Sequence, residues 1–385
     1  MTLNRKIQWL GAALMGAALL AIFLIMQFLA RPELYKDELK EAQQTVNGTG
    51  DQLRITLQAA ESQTQAIAQA AENLPLERET FIRQIEPLVN DYGNAVVAGG
   101  GVWPEPNALM DGQERASLFW ARGENGRLSL LDDYNDPASD GYHGAGWYQV
   151  GRTLSRGECG WSESYEDPVS GTPMVTCTVA IERAGSFWGV ATIDLMLSGL
   201  EGMLAERNAD TGGYTLVVDQ TGRILSFPGI REESLAMMTL GDAVSDYPEL
   251  APLKAALEQD GTVELPEGVL PDEESVLIQT TLPDQQWTVA MVLPRSTAMA
   301  SVNSVTRDLY LFLTPVLLAF VIVAVVAARR VIHPLRRLAD TLANLGSDGG
   351  DLRTRLDEDR ADELGDLARG FNAFAAELQT IVQRV

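Results

Sequence analysis

Two long apolar runs dominate the hydropathy pattern of the chain. Residues 7–30 and 309–328 contain no Asp, Glu, Lys or Arg. Each run has about 20 residues or more, and at about 1.5 Å per helical residue it can cross a hydrocarbon core about 30 Å thick. The pattern therefore predicts two transmembrane helices. A cleaved signal peptide is the alternative for the first run, but its apolar part is long and Phe28 stands where a small residue would precede a cut at Ala30.

Basic residues lie outside both spans: Arg5 and Lys6 before the first, and Arg329, Arg330, Arg336 and Arg337 after the second. The positive-inside rule then predicts that the chain crosses a bacterial inner membrane twice, with both termini in the cytoplasm and residues 31–308 in the periplasm. Residues 31–308 also hold the excess acid behind the net charge of −24. This charge suits solubility in a salty habitat or attraction of cationic ligands, and it argues against binding to nucleic acid.

The polar segment begins with a helical pattern. The chain between Pro32 and Pro75 contains no proline and is rich in Ala, Gln, Glu and Leu, which predicts one long helix that ends at Pro75. Asn-Gly-Thr-Gly at residues 47–50 predicts a bend in it. Its apolar stripe fits either a helix paired with its twin in a dimer or a helix packed on its own domain. Residues 77–90 predict a second helix.

Two sets of strand patterns follow these helices, separated by a helix at residues 195–207. Runs rich in β-branched residues, with turn signals between them, predict strands. The first set is residues 95–103, 118–122, 128–131, 174–181 and 189–195. The second set is residues 214–219, 223–227, 274–281 and 287–293, with a helical insert in its middle. Short strands mixed with helices predict an α+β protein with two antiparallel sheets.

Aromatic and acidic residues are densest between residues 142 and 197. The candidate ligand-binding residues are Trp147, Tyr148, Tyr165, Asp167 and Asp194. Aromatic rings can enclose a cation, and carboxylates can pair with an ammonium group. The set therefore predicts a site for a small amine or amino-acid-like ligand. The alternative is that the rings belong to the core and the acids to turns and the surface.

The pattern of these residues resembles the ligand-binding motif of double Cache sensor domains. Trp-Tyr, then Tyr-x-Asp after a hairpin strand, then an Asp 27 residues further on stand at the matching positions. The stretches DPVSGTPMVTCTVAI and GVATIDLML resemble the strand-turn-strand and closing strand of that family. The resemblance implies a PAS-like distal module that binds the ligand and a smaller proximal module, and mainly on this ground we expect the long helix to pair in a homodimer.

One position departs from that motif. Amino-acid-binding members carry an Arg two residues before the Trp, where it holds the ligand carboxylate, and Ala145 stands there in this chain. An α-carboxylate then lacks its bidentate partner. The resemblance thus implies an amine-like ligand or a different ligand class, unless a nearby arginine such as Arg122 or Arg152 substitutes.

Cys159 and Cys177 flank the turn at residues 168–171 at nearly equal distances, so antiparallel pairing brings them close together. A disulfide between them would clamp the strands that carry Tyr165 and Asp167. We expect no metal site and no cofactor, because one outer histidine, His143, and two thiols do not complete a zinc site. The acidic cluster at residues 132–136 fits no standard calcium loop, and a solvated turn is the preferred interpretation.

The C-terminal segment resembles a HAMP domain. The resemblance rests on Pro334-Leu335, residues 350–352, Asp-Glu-Leu-Gly at residues 362–365 and Phe371-Asn372. It implies two amphipathic helices that bury their apolar seams in a dimer, the second with Leu364, Leu367, Phe371, Phe374 and Leu378. The amino-acid sequence of this stretch is most similar to that of methyl-accepting chemotaxis receptors. We expect the chain to lack the cytoplasmic signalling domain of such receptors.

These patterns divide the chain into six parts. They are residues 1–30, cytoplasmic tip and first span; 31–75, long helix; 76–205, distal Cache module; 206–305, proximal module; 306–330, second span; and 331–385, HAMP. The expected function is a chemoreceptor, not an enzyme, whose partners are a small ligand and the chemotaxis signalling proteins. Three alternatives stay open: the sensor part of a histidine kinase or diguanylate cyclase, an anchored enzyme, and a receptor for a periplasmic binding protein.

Overall fold

The structure is a computed structural model that describes residues 3–90, 94–123, 125–208, 213–227, 235–259, 261–270, 273–345, 353–359 and 363–384. The chain divides into two compact units. One unit is Tyr35–Ser301, and the other consists of Met1–Leu34 and Val302–Val385. The first is a mixed body of helices and antiparallel sheets, so the α+β class predicted from the sequence is confirmed.

The helices of the described residues are α1 (Leu3–Ile25), α2 (Arg31–Asn73), α3 (Arg78–Asn90), α4 (Gly146–Gly151), α5 (Leu197–Asn208), α6 (Leu240–Asp246), α7 (Ala251–Leu257), α8 (Arg295–Ala298), α9 (Ala300–Leu345) and α10 (Glu363–Arg384). A π-helical turn at Met26–Ala30 joins α1 to α2, and 3₁₀ turns lie at Asp133–Asn135 and Pro248–Leu250.

Helix α2 confirms the predicted long helix, but it continues through residues 47–50 without interruption. Gly50 is buried there, and a Cβ on it would lie 3.0 Å from Thr280 Cγ2. The glycine thus permits close packing against the second sheet. The buried stripe of α2, which includes Leu53, Leu57 and Ile67, belongs to the main core of Tyr35–Ser301. The stripe therefore packs on its own domain.

The first sheet has seven strands in the described residues: β1 (Val97–Pro104), β2 (Leu118–Arg122), β3 (Leu128–Leu131), β4 (Cys159–Trp161), β5 (Tyr165–Glu166), β6 (Pro173–Arg183) and β7 (Ser186–Met196). Their order is β3-β2-β1-β7-β6-β4, and β5 also pairs with β6. All of these pairs are antiparallel. Strand β1 carries Gly99-Gly100-Gly101, where a Cβ on Gly101 would meet the Leu118 carbonyl oxygen at 2.0 Å. Only glycine fits so close to the neighbouring backbone.

The second sheet contains β8 (Tyr214–Val218), β9 (Ile224–Ser226), β10 (Thr262–Leu270), β11 (Glu273–Thr281) and β12 (Thr288–Pro294) in the order β10-β11-β12-β8-β9. Four of these strands match the predicted set. Strand β10 was not predicted, because its sequence TVELPEGVL contains a proline and a glycine, and the prediction assigned that stretch to a helical insert. It forms the edge of the sheet, where a proline is tolerated.

One residue of α2 contacts both sheet regions. Glu61 Oε1 accepts a hydrogen bond from Trp161 Nε1 at 2.9 Å and one from Gln285 Nε2 at 2.9 Å. The rings of Trp161 and Trp287 also meet, with their centroids 5.7 Å apart. The long helix and the two sheets are therefore joined at one point by polar and aromatic contacts.

Two helices of the described residues are long and apolar enough to cross a membrane, over Met15–Asn73 and Ala300–Ala327. Helix α9 continues from its apolar part into the segment that resembles HAMP. In α10, Ala368, Phe371 and Ala375 are buried, whereas Leu367 and Phe374 of the predicted seam are exposed. Residues 346–352, which hold the predicted HAMP connector loop, lie outside the described residues.

A disulfide joins Cys159 of β4 to Cys177 of β6, with Cα atoms 5.7 Å apart. Cys177 lies opposite Trp161 in the ladder, two residue pairs from the pair that contains Cys159. The bond closes a loop with a sequence separation of 18 residues. That loop contains β5 and the turn after it, so the disulfide holds both close to the central strands.

Reduction of this disulfide should lower the free energy of unfolding of the segment 35–301 by about 3 kcal/mol, because it removes a loop constraint from the unfolded chain. Urea titration of the same protein with and without a thiol reductant measures the change. The Cys159→Ala/Cys177→Ala double variant is the control and should not respond to the reductant. An equal midpoint for oxidised and reduced protein would contradict this prediction.

Candidate ligand-binding site

A small cavity lies on one face of the first sheet. It is lined by Trp103, Phe119, Tyr134, Trp147, Tyr165, Asp167, Thr192 and Asp194. The space between these side chains is too narrow for a whole water molecule. Four of the five candidate residues from the sequence thus meet around one cavity, and the fifth, Tyr148, lies outside it.

Asp194 is one of the buried polar groups of the cavity. It lies on β7 between Gly99 of β1 and Thr176 of β6, and it is 3 % exposed. Its Oδ1 accepts a hydrogen bond from Thr176 Oγ1 at 2.8 Å, and that hydroxyl also lies 2.8 Å from the Tyr165 hydroxyl. The central position of β7 therefore removes the carboxylate from water and leaves it a short hydrogen-bond chain.

Burial raises the pKa of Asp194 to about 7, because the charged form is poorly solvated inside the sheet. The nearby Asp167 raises the pKa further, and the hydrogen bond from Thr176 opposes the rise. At neutral pH the carboxyl group is thus poised between its neutral and charged forms. A cation placed beside it would favour the charged form.

Asp167 supplies the second carboxylate. It is 2 % exposed and begins the turn after β5. Its Oδ2 accepts a hydrogen bond from the backbone nitrogen of Ser170 at 2.7 Å, and its Oδ1 accepts one from the Tyr134 hydroxyl. Burial and this contact with Asp167 raise the pKa of Tyr134, so the phenol stays neutral and acts as the donor.

Aromatic rings form the rest of the wall. Trp103 is central, with ring centroids 4.7 Å from Trp147, 5.1 Å from Tyr134 and 5.1 Å from Phe119. Its Nε1 donates to Thr192 Oγ1 at 2.8 Å, which fixes the indole on the sheet. The cavity therefore combines two carboxylates with a cage of rings, the combination that binds organic cations.

Tyr148 points away from this cage. Successive residues of an α-helix lie about 100° apart, so Trp147 and Tyr148 of α4 face different sides. The Tyr148 hydroxyl donates to Glu105, which also pairs with Arg152. Tyr148 is fully buried, and the centroid of its ring lies 6.2 Å from the centroid of the Phe187 ring. The structure thus places this predicted site residue in the support of α4, outside the cavity.

Neither arginine considered as a substitute for the absent motif arginine lines the cavity. Arg152 pairs with Glu105 and lies 5.0 Å from the centroid of the Phe187 ring. Arg122 donates to the backbone carbonyls of Val97 at 2.7 Å, Asn94 at 2.8 Å and Gly126 at 2.7 Å, so it fastens a loop. Ala145 itself precedes α4 and packs against the ring cluster.

Sequence reasoning missed four lining residues: Trp103, Phe119, Tyr134 and Thr192. Thr192 could have been found, because it lies two residues before Asp194 on the same strand and so faces the same side. Tyr134 lies in a 3₁₀ turn within the acidic cluster at residues 132–136, which was interpreted as a solvated turn. The hydrogen bond from Tyr134 to Asp167 spans 33 residues and leaves no local signal in the sequence. No group of His, Cys, Asp and Glu that could hold a metal occurs among the residues that the structure describes.

Two family models match the chain. The first PDC sensor domain of methyl-accepting chemotaxis protein-like receptors matches residues 88–202, and the HAMP domain matches residues 326–380. The first match contains every residue of the cavity. Residues 88–202 are therefore similar to the first sensor module of such receptors, and residues 326–380 match a HAMP module, in agreement with both resemblances found in the sequence.

Curated relatives have the same character. The chain is 23% identical over 310 residues to the methyl-accepting chemotaxis protein PscA of Pseudomonas syringae pv. tomato, covering 80% of this chain and 47% of PscA. It is 28% identical over 352 residues to the methyl-accepting chemotaxis protein TlpQ of Pseudomonas aeruginosa, with the same shares. The chain spans about half the length of these curated relatives.

Solved structures share the fold. The extracellular domain of mmHK1S-Z3, which is named for a histidine kinase, superposes with a TM-score of 0.55 at 20% identity, covering 70% of this chain and 98% of that one. The ligand-binding domain of the Pseudomonas fluorescens chemoreceptor CtaA in complex with L-isoleucine gives 0.51 at 19% identity, covering 71% and 99%. Both share the two-sheet fold of this chain.

Asp194→Asn should stabilise the ligand-free segment 35–301, and the gain should grow as pH rises from 5 to 8. The folded pKa of about 7 lies above the ordinary value of 3.8. The folded state therefore holds a proton that the unfolded state has released, and stability falls as pH rises through this window. The gain in the free energy of unfolding at pH 8 should be a few kcal/mol, because each unit by which the folded pKa exceeds the unfolded pKa corresponds to about 1.4 kcal/mol. Thermal melting of both proteins at pH 5 and pH 8 measures it, and a pH-independent difference would refute the assignment.

Proposed function

We propose that the chain is the sensing, membrane-spanning and HAMP portion of a bacterial inner-membrane chemoreceptor for a small organic cation. The observation that carries this proposal is the composition of the cavity. Its eight lining residues, all within the described part of the chain, include two carboxylates and five aromatic rings but no basic side chain. A ligand with a free carboxylate would meet like charge there, whereas an ammonium group would find partners.

Asp194 is the principal partner of the cation in this proposal. A charged carboxylate in an apolar site costs free energy unless it is paired, and the ligand would supply the missing charge. The ligand would then take the place of the proton that the buried carboxyl otherwise holds. Asp167 and the rings of Trp103, Trp147 and Tyr165 would complete the enclosure.

Entry of the ligand requires movement of the wall, because the cavity is too narrow for a water molecule. Tyr134 is the residue most directly affected, because its hydroxyl already donates a hydrogen bond to Asp167 Oδ1. An ammonium group that bonds to Asp167 would compete with this hydroxyl. Displacement of the turn Asp133–Asn135 is therefore the first local change that we expect on binding.

The signal would travel from the hairpin to the long helix. Asp194 bonds to Thr176 of β6, and Ser162, next to Trp161, exchanges two hydrogen bonds with Thr176 through the pairs Ser162 N to Thr176 O and Thr176 N to Ser162 Oγ. Trp161 in turn donates to Glu61 of α2. A ligand that binds one arrangement of these contacts more tightly shifts their population. In a homodimer with the predicted topology, both spans and HAMP would receive that shift, and the chemotaxis signalling proteins would be the downstream partners.

Thermal melting of the segment 35–301 against amines, amino acids and organic acids tests the ligand class. A ligand at 100 times its dissociation constant stabilises by about 2.7 kcal/mol, which raises the melting temperature by a few degrees. We expect this shift with one or more amines and its loss in Asp194→Asn, which should remain folded. Asp111→Asn, which removes an exposed carboxylate elsewhere, is the matched control. A shift only with carboxylates would refute the amine assignment, and no shift with any compound would favour a periplasmic binding protein as the ligand.

Ala145→Arg should change the ligand preference. In the double Cache motif the arginine at this position holds a ligand carboxylate, so its return should favour an amino acid over the amine that lacks the carboxylate. We expect at least a tenfold relative gain, the usual size of one added charge-assisted pair of about 1.5–3 kcal/mol. Titration calorimetry of both variants with a matched amine and amino acid measures the ratio. Ala145→Gln, of similar length but uncharged, is the control, and an equal gain in that variant would mean that charge is not the cause.

A further inference from the structure

A second cavity lies in the unit that contains the apolar helices. It is a groove of about 630 Å³ lined by Arg31, Asn303, Thr306, Arg307, Tyr310, Leu311, Thr314 and Pro315. Arg31 begins α2, and the other lining residues belong to α9. Their spacing of three, four, seven, eight, eleven and twelve residues from Asn303 places them along one face of α9. The groove thus has a defined floor and one arginine from each helix.

The polarity of this face changes along its length. Asn303, Thr306 and Arg307 are polar, Tyr310 is amphipathic, and Leu311 and Pro315 are apolar. Thr314 lies between these two, and its hydroxyl donates to the Tyr310 carbonyl oxygen of the same helix at 2.7 Å. The polar part spans about one helical turn, or about 6 Å, which matches the thickness of a lipid headgroup layer on one side of a bilayer. The apolar part lies inside the predicted span at residues 309–328. A molecule that fits this profile has a polar head and an apolar tail.

The arginines give the head a sign. Arg31 is held by two hydrogen bonds, from Nη1 to Gln27 Oε1 at 3.1 Å and from Nη2 to Asn303 Oδ1 at 3.0 Å. Its Nε is buried and has no hydrogen-bond partner in the described part of the chain. Arg307 is exposed and contacts the neighbouring Asp308 through Nε at 3.4 Å. Asp308 does not line the groove.

We propose that this groove binds the phosphate of an anionic phospholipid in the outer leaflet, with Arg31 and Arg307 at the headgroup and an acyl chain along Leu311 and Pro315. Guanidinium groups suit phosphate because they offer several donors in a plane. The proposal rests on the membrane embedding that the proposed function includes. It adds a lipid ligand at the point where α9 enters its apolar part.

The binding test places a photoreactive benzoylphenylalanine at Leu311 of the full chain in nanodiscs that contain equal amounts of phosphatidylglycerol and phosphatidylcholine. Each basic residue near a membrane surface contributes about fivefold toward an anionic lipid. Capture of phosphatidylglycerol should therefore exceed capture of phosphatidylcholine, and Arg31→Gln or Arg307→Gln should each lower the ratio about fivefold. Arg31→Lys should keep most of the preference because the charge remains, and Arg127→Gln, an exposed arginine of the first sheet region, should leave the ratio unchanged.

Three outcomes would overturn the proposal. They are equal capture of the two lipids by the parent chain, a ratio unaffected by both glutamine variants, and capture of a second copy of the chain at Leu311 in place of lipid. Glycerol phosphate can be added at the same concentration as phosphatidylglycerol. If it abolishes the preference for phosphatidylglycerol over phosphatidylcholine, the site binds a free phosphate compound. Failure of the chain to enter nanodiscs at all would instead contradict the membrane embedding, so the two proposals fail in distinguishable ways.

Discussion

A buried carboxylate is the constraint on which the sensing domain depends. Asp194 lies on the central strand β7, between β1 and β6, and it is shielded from water by five aromatic side chains. Such a group is stable only if it is neutral, hydrogen-bonded or paired with a cation. Thr176 donates one hydrogen bond to the carboxylate, and the raised pKa means that the carboxyl group keeps its proton in part of the molecules. The charged form still lacks a cation as a partner. In our account a small organic cation fills this role, and this is why the cavity acts as a sensor.

The fold around Asp194 makes that demand consequential. The disulfide and the ladder between β4 and β6 tie Thr176 to Trp161, and Glu61 ties Trp161 to the long helix and to Gln285 near the second sheet. Asp194 is thus connected to α2 through polar contacts of Thr176, Ser162 and Trp161, the route along which we propose that a change at the carboxylate is relayed. The groove at Arg31 and Arg307 lies at the start of α2 and near the start of α9. In our proposal, a lipid bound there would hold these helices at a fixed depth in the membrane.

The sequence predicted much of this arrangement because the signals were local. Strands β2 and β3 were predicted with their bounds, and four residues of the motif, Trp147, Tyr165, Asp167 and Asp194, line one cavity. The differences came from contacts between distant residues and, for Tyr148, from local helical geometry. Tyr134 and Trp103 enter the cavity from other parts of the chain, Tyr148 turns away because helical neighbours diverge by about 100°, and Gly50 serves packing and not a bend. Strand β10 was missed because pairing with β11 outweighs its poor local propensity.

The most direct test of the central claim is the proton count of ligand binding at pH 7. Titration calorimetry of the segment 35–301, with its most stabilising amine, should be run in buffers of different ionisation enthalpy. With a pKa of about 7 for Asp194, a cation that takes the place of the proton should release roughly half a proton per site. The release should vanish in Asp194→Asn if any binding remains. A binding enthalpy that is the same in every buffer would mean that Asp194 does not exchange its proton for the ligand, and the account of the site would be wrong.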